Sequence, residues 1–181
     1  MKPSSRSKSF WMILFLAAAV AIGGGRMWRT KQPGALVPIG ERREQAPLAI
    51  HLLNGATWRV ADHRGQIILI NYWATWCGPC REELPGLVRL AQESDPHEVA
   101  IVGVAFDSGA NAQNDVRSFV QRFRIPYPTA LPDAAMREQV GDLALPTTIL
   151  LDKHGRVARK YNGATERDDF ATDIATLLRE N

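Results

Sequence analysis

Residues 71–85 read Asn71-Tyr72-Trp73-Ala74-Thr75-Trp76-Cys77-Gly78-Pro79-Cys80-Arg81-Glu82-Glu83-Leu84-Pro85. They continue an apolar run that begins at Gln66 and has Ile67, Ile68, Leu69 and Ile70 at its centre. A short run without alternation is the pattern of a strand buried on both faces. Beyond the cysteines, Leu84, Leu87, Val88 and Ala91 recur at helical spacing to about Glu93. The strand therefore passes into an amphipathic helix, which Pro85 is expected to bend. The two cysteines lie at the junction.

That position carries a chemistry. A thiolate, not a thiol, attacks a disulfide. On the first turn of a helix, Cys77 meets free backbone N–H groups and the positive end of the helix dipole, and both favour its thiolate. Cys80, one turn on and less exposed, can resolve a mixed disulfide by attacking the Cys77 sulfur. Pro79 has a preset φ and no N–H, which suits the first turn. Gly78 leaves the approach open. A zinc site would need two further ligands, and His51, His63, His97 and His154 do not pair at ligand spacing. No metal site is expected, and no cofactor beyond a redox-active Cys77–Cys80 disulfide.

The flanking sequence extends the pattern. Leu48 to Leu53, Asn54-Gly55 and Thr57 to Val60 predict a β-hairpin. Val99 to Phe106 predicts a second buried strand, and Asn114 to Phe123 a helix with Val116, Phe119, Val120 and Phe123 on one face. Strand, helix and strand make a right-handed βαβ unit. Asp133 to Val140 predicts a short helix. Thr147 to Asp152 and Arg156 to Tyr161 predict a hairpin, and Asp168 to Arg179 a closing helix. The fold class is α/β, a mixed central β-sheet flanked by helices.

The formal charge of +3 belongs to the N-terminal part. Residues 1–46 hold eight Lys/Arg against Glu41 and Glu44, and the rest of the chain is net acidic. No basic stripe with interleaved aromatics occurs, so nucleic-acid binding is not expected. Lys2, Arg6 and Lys8 precede an uncharged run at residues 9–25. Its length just reaches that of a membrane anchor, with Trp11 and Trp28 at the two interfaces. A cleaved signal peptide ending near Ala19-Val20-Ala21 is the alternative. The expected organisation is a signal anchor or signal peptide at 1–25, a linker at 26–46 and one domain at 47–181. Either leader sends the domain to an extracytoplasmic, periplasmic-side location, where disulfides persist.

The segment 71–85 resembles the active-site segment of the thioredoxin superfamily, and most of all its TlpA/ResA branch of anchored extracytoplasmic thiol–disulfide oxidoreductases. Leu145-Pro146-Thr147-Thr148, followed by Ile149 to Asp152 and Gly155, resembles that superfamily's second motif. The resemblance implies a thioredoxin-like fold from about Pro47 to the C-terminus. It implies a cis peptide before Pro146, facing the cysteines, with the Leu145 backbone left free to pair with a substrate strand. Trp76 becomes a wall of the active site and Trp73 mostly core. Asn71 stands where cytosolic thioredoxins have a buried Asp, whereas Glu83 matches a buried glutamate of the TlpA/ResA branch that manages the cysteine protons. That role requires a raised pKa; otherwise Glu83 is a solvated helix residue, as Glu82 is expected to be.

Gly78-Pro79 carries no charge that would stabilise the Cys77 thiolate strongly, so a dithiol reductant is preferred over a disulfide-forming oxidant. The resemblance implies a membrane-embedded thiol–disulfide electron donor. It implies apocytochrome c, in cytochrome c biogenesis, or an oxidase copper-site protein as substrate. A copper-binding chaperone and a thiol peroxidase are the alternatives from other classes.

Overall fold

The computed structural model describes residues 35–180. The expected anchor or signal run and the first part of the expected linker lie outside these residues. Among the described residues, no helix is long and apolar enough to cross a membrane.

The apolar run forms strand β3 (Ile67–Trp73), buried along its whole length. Its odd positions Ile67, Leu69 and Trp73 face one hydrophobic cluster, and Ile68, Ile70 and Tyr72 face another. A strand flanked on both faces stays apolar throughout, and each fully buried Ile or Leu contributes about 1.5–3 kcal/mol. The other strands are β1 (Ala49–His51), β2 (Thr57–Arg59), β4 (Val99–Ala105), β5 (Thr129–Ala130), β6 (Thr147–Leu151) and β7 (Val157–Asn162). The helices are α1 (Gly78–Glu93), α2 (Ala112–Arg122), α3 (Ala134–Val140) and α4 (Arg167–Leu178).

The central sheet runs β5-β4-β3-β6-β7, and the β1–β2 hairpin is a separate two-stranded sheet. β4 and β5 are parallel to their neighbours, whereas β6 and β7 are antiparallel. Successive parallel crossovers in one direction put α1 and α2 on the same face. There Leu84, Leu87 and Val116 join Phe170, Ile174 and Leu177 of α4. The hairpin, through Ile50 and Trp58, and α3, through Met136, cover the other face. The expected mixed sheet with helices on both sides is present.

Register decides where the site lies. Trp73 pairs with Ala105 of parallel β4, and Tyr72 with Thr147 of antiparallel β6. The chain thus leaves β3 and β4 and enters β6 at the same end of the sheet. This brings the cysteine loop between Phe106-Asp107 on one side and Leu145-Pro146 on the other.

The sequence gives no sign of β5, which is two residues long and follows Pro126 and Pro128. The described part of the stretch expected as linker is hydrogen-bonded to the body. Val37 N–H donates to Ala158 (2.8 Å) and Val157 N–H to Arg43 (2.8 Å). Arg42 is buried, and its guanidinium donates to Glu180 (2.5 and 2.9 Å) and Asp152 (3.3 Å). The segment covers the β7 edge, which would otherwise be open to foreign strands.

Candidate functional site

Cys77 is the N-cap of α1, in extended conformation, and its sulfur accepts from Cys80 N–H at 3.2 Å. Pro79 lies in the first turn. The two sulfurs are joined as a disulfide. The helix start thus aims a backbone donor at the Cys77 sulfur, an arrangement that stabilises negative charge there once the disulfide is reduced.

An open groove of about 460 Å³ runs past this point. Trp76, Cys77, Gly78 and Pro79 form one wall, and Phe106 and the Gly141–Leu145 loop form the other. The two cysteines were expected to differ in exposure, but each residue is 5% exposed. The groove separates them instead, because Cys77 lines it and Cys80 does not. Trp76 is 68% exposed, a large apolar surface at the groove's rim. Trp73 is core, as expected, and needs Gly103 beside it: a Cβ there would come within 2.9 Å of the indole nitrogen.

The Leu145–Pro146 peptide is cis. Pro146 is buried and its carbonyl accepts from Gly163 N–H at 2.8 Å. Leu145 lines the groove, and among the described residues its N–H and C=O make no backbone hydrogen bond. Trp76, Cys77, Gly78, Pro79 and Leu145 therefore come together in the groove, while Cys80, Glu83 and Pro146 lie behind it.

Glu82 is exposed and Glu83 is buried. The Glu83 carboxylate accepts from Asn71 Nδ2 at 3.3 Å and from Thr165 N–H at 3.2 Å. Asn71 Nδ2 also donates to Thr148 Oγ1 at 2.9 Å, so strands β3 and β6 hold the group from below. Burial pushes the Glu83 carboxyl up to about 7, against the lowering effect of its two hydrogen bonds. Cys80 and Glu83 are three residues apart on one buried helix face, which makes them neighbours. A carboxyl titrating near neutrality can take a proton from the Cys80 thiol and give it up again.

Sequence reasoning missed Asp107. It is buried, and its carboxylate accepts from both the N–H of Thr75 (3.0 Å) and the Thr75 hydroxyl. Its own carbonyl accepts from Arg137 Nη2 of α3 at 2.7 Å, and the Arg137 guanidinium lies over the Phe106 ring at 5.3 Å. One chain of contacts thus fixes the Trp76-Cys77 loop and the opposite wall. No local signal marks a partner 32 residues away. Asp107→Ala leaves the Thr75 donors without their acceptor, and urea unfolding is expected to show a loss of about 2–3 kcal/mol. An unchanged midpoint would show that the clamp carries no load.

Among the described residues, no group of three or more His, Cys, Asp or Glu is placed to hold a metal ion.

Residues 43–179 match the AhpC/TSA family. The chain is 30% identical over 145 residues to "Thioredoxin-like protein YneN" of Bacillus subtilis, covering 79% of this chain and 85% of that protein. It is 30% identical over 129 residues to "Thiol-disulfide oxidoreductase ResA" of Geobacillus thermodenitrificans, covering 69% and 71%. Among solved structures, a DsbF homologue from Corynebacterium diphtheriae superposes with a TM-score of 0.70 at 26% identity, over 82% of this chain and 96% of that one. A secreted thiol-disulfide isomerase from Corynebacterium glutamicum superposes with a TM-score of 0.72 at 22% identity, over 84% and 95%, and supports the fold.

Proposed function

The chain belongs to the AhpC/TSA family and is a ResA-like thiol–disulfide oxidoreductase of the thioredoxin superfamily, and from that premise we propose that it is an extracytoplasmic dithiol reductant of protein disulfides. One observation carries the reading: the Cys77–Cys80 pair caps a helix on an open groove, with the buried Glu83 carboxyl behind Cys80.

In the proposed cycle the reduced Cys77 thiolate attacks one sulfur of a substrate disulfide. One substrate cysteine leaves as thiolate and takes up a proton, and the other is held on Cys77 as a mixed disulfide. Cys80 then gives its proton to Glu83 and attacks the Cys77 sulfur. The Cys77–Cys80 disulfide forms, and the second substrate cysteine departs as a thiolate and takes its proton from water. Two electrons pass from the enzyme dithiol to the substrate. Trp76 and Phe106 supply apolar contact for the substrate segment, and the unpaired Leu145 backbone offers it a strand-like partner.

The direction of electron flow rests on the residues between the cysteines. Gly78-Pro79 adds no charge to stabilise the Cys77 thiolate, which keeps the reduced form reactive. Equilibration of the 35–181 domain in redox buffers, read by tryptophan fluorescence, is expected to give a potential at or below about −220 mV, on the thioredoxin side of the known range. A value near about −120 mV makes the protein an oxidant and overturns the reading.

The location outside the cytoplasm is supported by the basic start Lys2, Arg6 and Lys8 and the uncharged run at residues 9–25, which read as a leader. The proposed electron donor is a membrane-embedded thiol–disulfide transporter. The proposed substrates are apocytochrome c, first, or a copper-site protein of a terminal oxidase. A deletion strain with undiminished c-type cytochromes would remove the first of these.

A further inference from the structure

The proposed cycle leaves one proton unaccounted for. Glu83 can take the Cys80 proton only with its carboxyl ionised, so the carboxyl, raised by burial to about 7, must release the proton it holds to water in the mixed disulfide, before Cys80 attacks. At that moment a substrate is covalently joined to Cys77 and occupies the groove beside it. Glu83 does not line that groove.

Glu83 lines a different one. A polar groove of about 330 Å³ lies further along α1, between Glu82, Gly86 and Arg89 and the segment from Ala164 to Asp168 at the start of α4. The two grooves share no residue. Thr165 N–H donates to Glu83 Oε1 at 3.2 Å, and both residues line this second groove. The walls carry both signs of charge: Glu82, Glu166 and Asp168 against Arg89 and Arg167. Arg167 is already paired with Glu93 and Asp168. A groove of this composition holds water rather than an apolar ligand.

Two further groups lie near the Glu83 carboxylate. β3 contributes Asn71, which is tied to Thr148 of β6. The Tyr127 phenol, whose own pKa is raised by burial and by the charge of Glu83, has no hydrogen-bond partner among the described residues. Neither group takes up a proton near neutrality.

We infer that the polar groove between α1 and the start of α4 is the route by which Glu83 exchanges its proton with water. The site then handles thiol chemistry on one flank and protons on another, and a seated substrate does not block turnover. The inference rests on the reading of Glu83 as the proton acceptor of Cys80.

The test uses the reduced protein and the chromogenic disulfide 5,5′-dithiobis(2-nitrobenzoate) near pH 6.5. The first thionitrobenzoate released reports attack by Cys77, and the second reports resolution by Cys80. Ala164→Trp and Glu82→Trp each add bulk at the groove mouth, at exposed positions outside the thiol site. Both are expected to slow the second release about fivefold or more and to leave the first within about twofold, with Glu83→Gln slowing the second release at least about tenfold. If Glu83→Gln slows resolution and neither mouth variant does, the route is wrong and the role of Glu83 stands. If Glu83→Gln leaves resolution unchanged, the role of Glu83 itself is lost, and the route with it. Two mouth variants on different elements guard against a local folding defect in either one.

Discussion

Cys77→Ser is expected to bring reduction of insulin disulfides to the uncatalysed rate, whereas Cys80→Ser is expected to stop turnover with substrate still attached. The difference follows from where the two sulfurs lie. Cys77 faces the open groove and its sulfur already accepts from Cys80 N–H, so it is the atom a substrate disulfide can reach and the one the helix start activates. A serine hydroxyl there has no accessible oxyanion near neutral pH and cannot exchange with a disulfide. Cys80 lies behind the groove and meets substrate only through Cys77. Without it, attack proceeds once and the mixed disulfide has no internal thiol to resolve it. Mass spectrometry of Cys80→Ser after exposure to a peptide disulfide should show one adduct per chain, and Cys77→Ser none. Equal adduct formation by both variants would mean that the two cysteines do not divide the labour as their positions indicate.

Much of this site was legible in sequence, and for a physical reason. β3 is covered on both faces, so burial wrote itself as an unbroken apolar run, and the change to helical spacing after it located the cysteines at a helix start. Pro146 and Leu145 were legible only through the resemblance, since nothing in a single proline specifies a cis bond. Glu83 and Glu82 are adjacent and chemically identical. What separates them is the phase of α1, in which Cys80, Glu83, Leu84, Leu87 and Leu90 are buried, and that phase was already present in the leucines. Asp107, Arg42 and β5 were not legible. Each depends on a partner far along the chain: Thr75 for Asp107, Asp152 and Glu180 for Arg42, and Gly103-Val104 for β5. Arg42 in particular sat in a stretch whose charges read as linker, because the carboxylates that allow its burial lie 110 and 138 residues away. Local pattern records what a segment buries, but not which distant group makes a buried charge tolerable.

The second large effect is on stability, and its sign is unusual for a carboxylate. Burial raises the folded-state pKa of Glu83 from an ordinary 4.5 to about 7, whereas the unfolded chain keeps the ordinary value. Between these two values the folded protein holds a proton that the unfolded chain has released. Stability therefore falls as pH rises through this window, the reverse of the behaviour of a salt-bridged acid. The contribution is fully present below about 4.5 and lost above about 7. At about 1.4 kcal/mol per pKa unit, the loss across the window is about 3 kcal/mol. Glutamine keeps the shape of Glu83 and an oxygen for Thr165 and Asn71, and it does not titrate. Urea unfolding of the oxidised protein, in which the cysteines do not titrate, should therefore show Glu83→Gln gaining about 3 kcal/mol on the wild type between pH 4 and pH 8. A difference that stays flat across this range would mean that Glu83 ionises as freely in the folded protein as in water. It could then not receive the Cys80 proton in the way the cycle requires. A rising difference, with resolution slowed in the same variant, would show that one buried carboxyl is both the site's proton acceptor and a net burden on the fold above neutrality, a cost that a purely structural glutamate at this position would give no reason to keep.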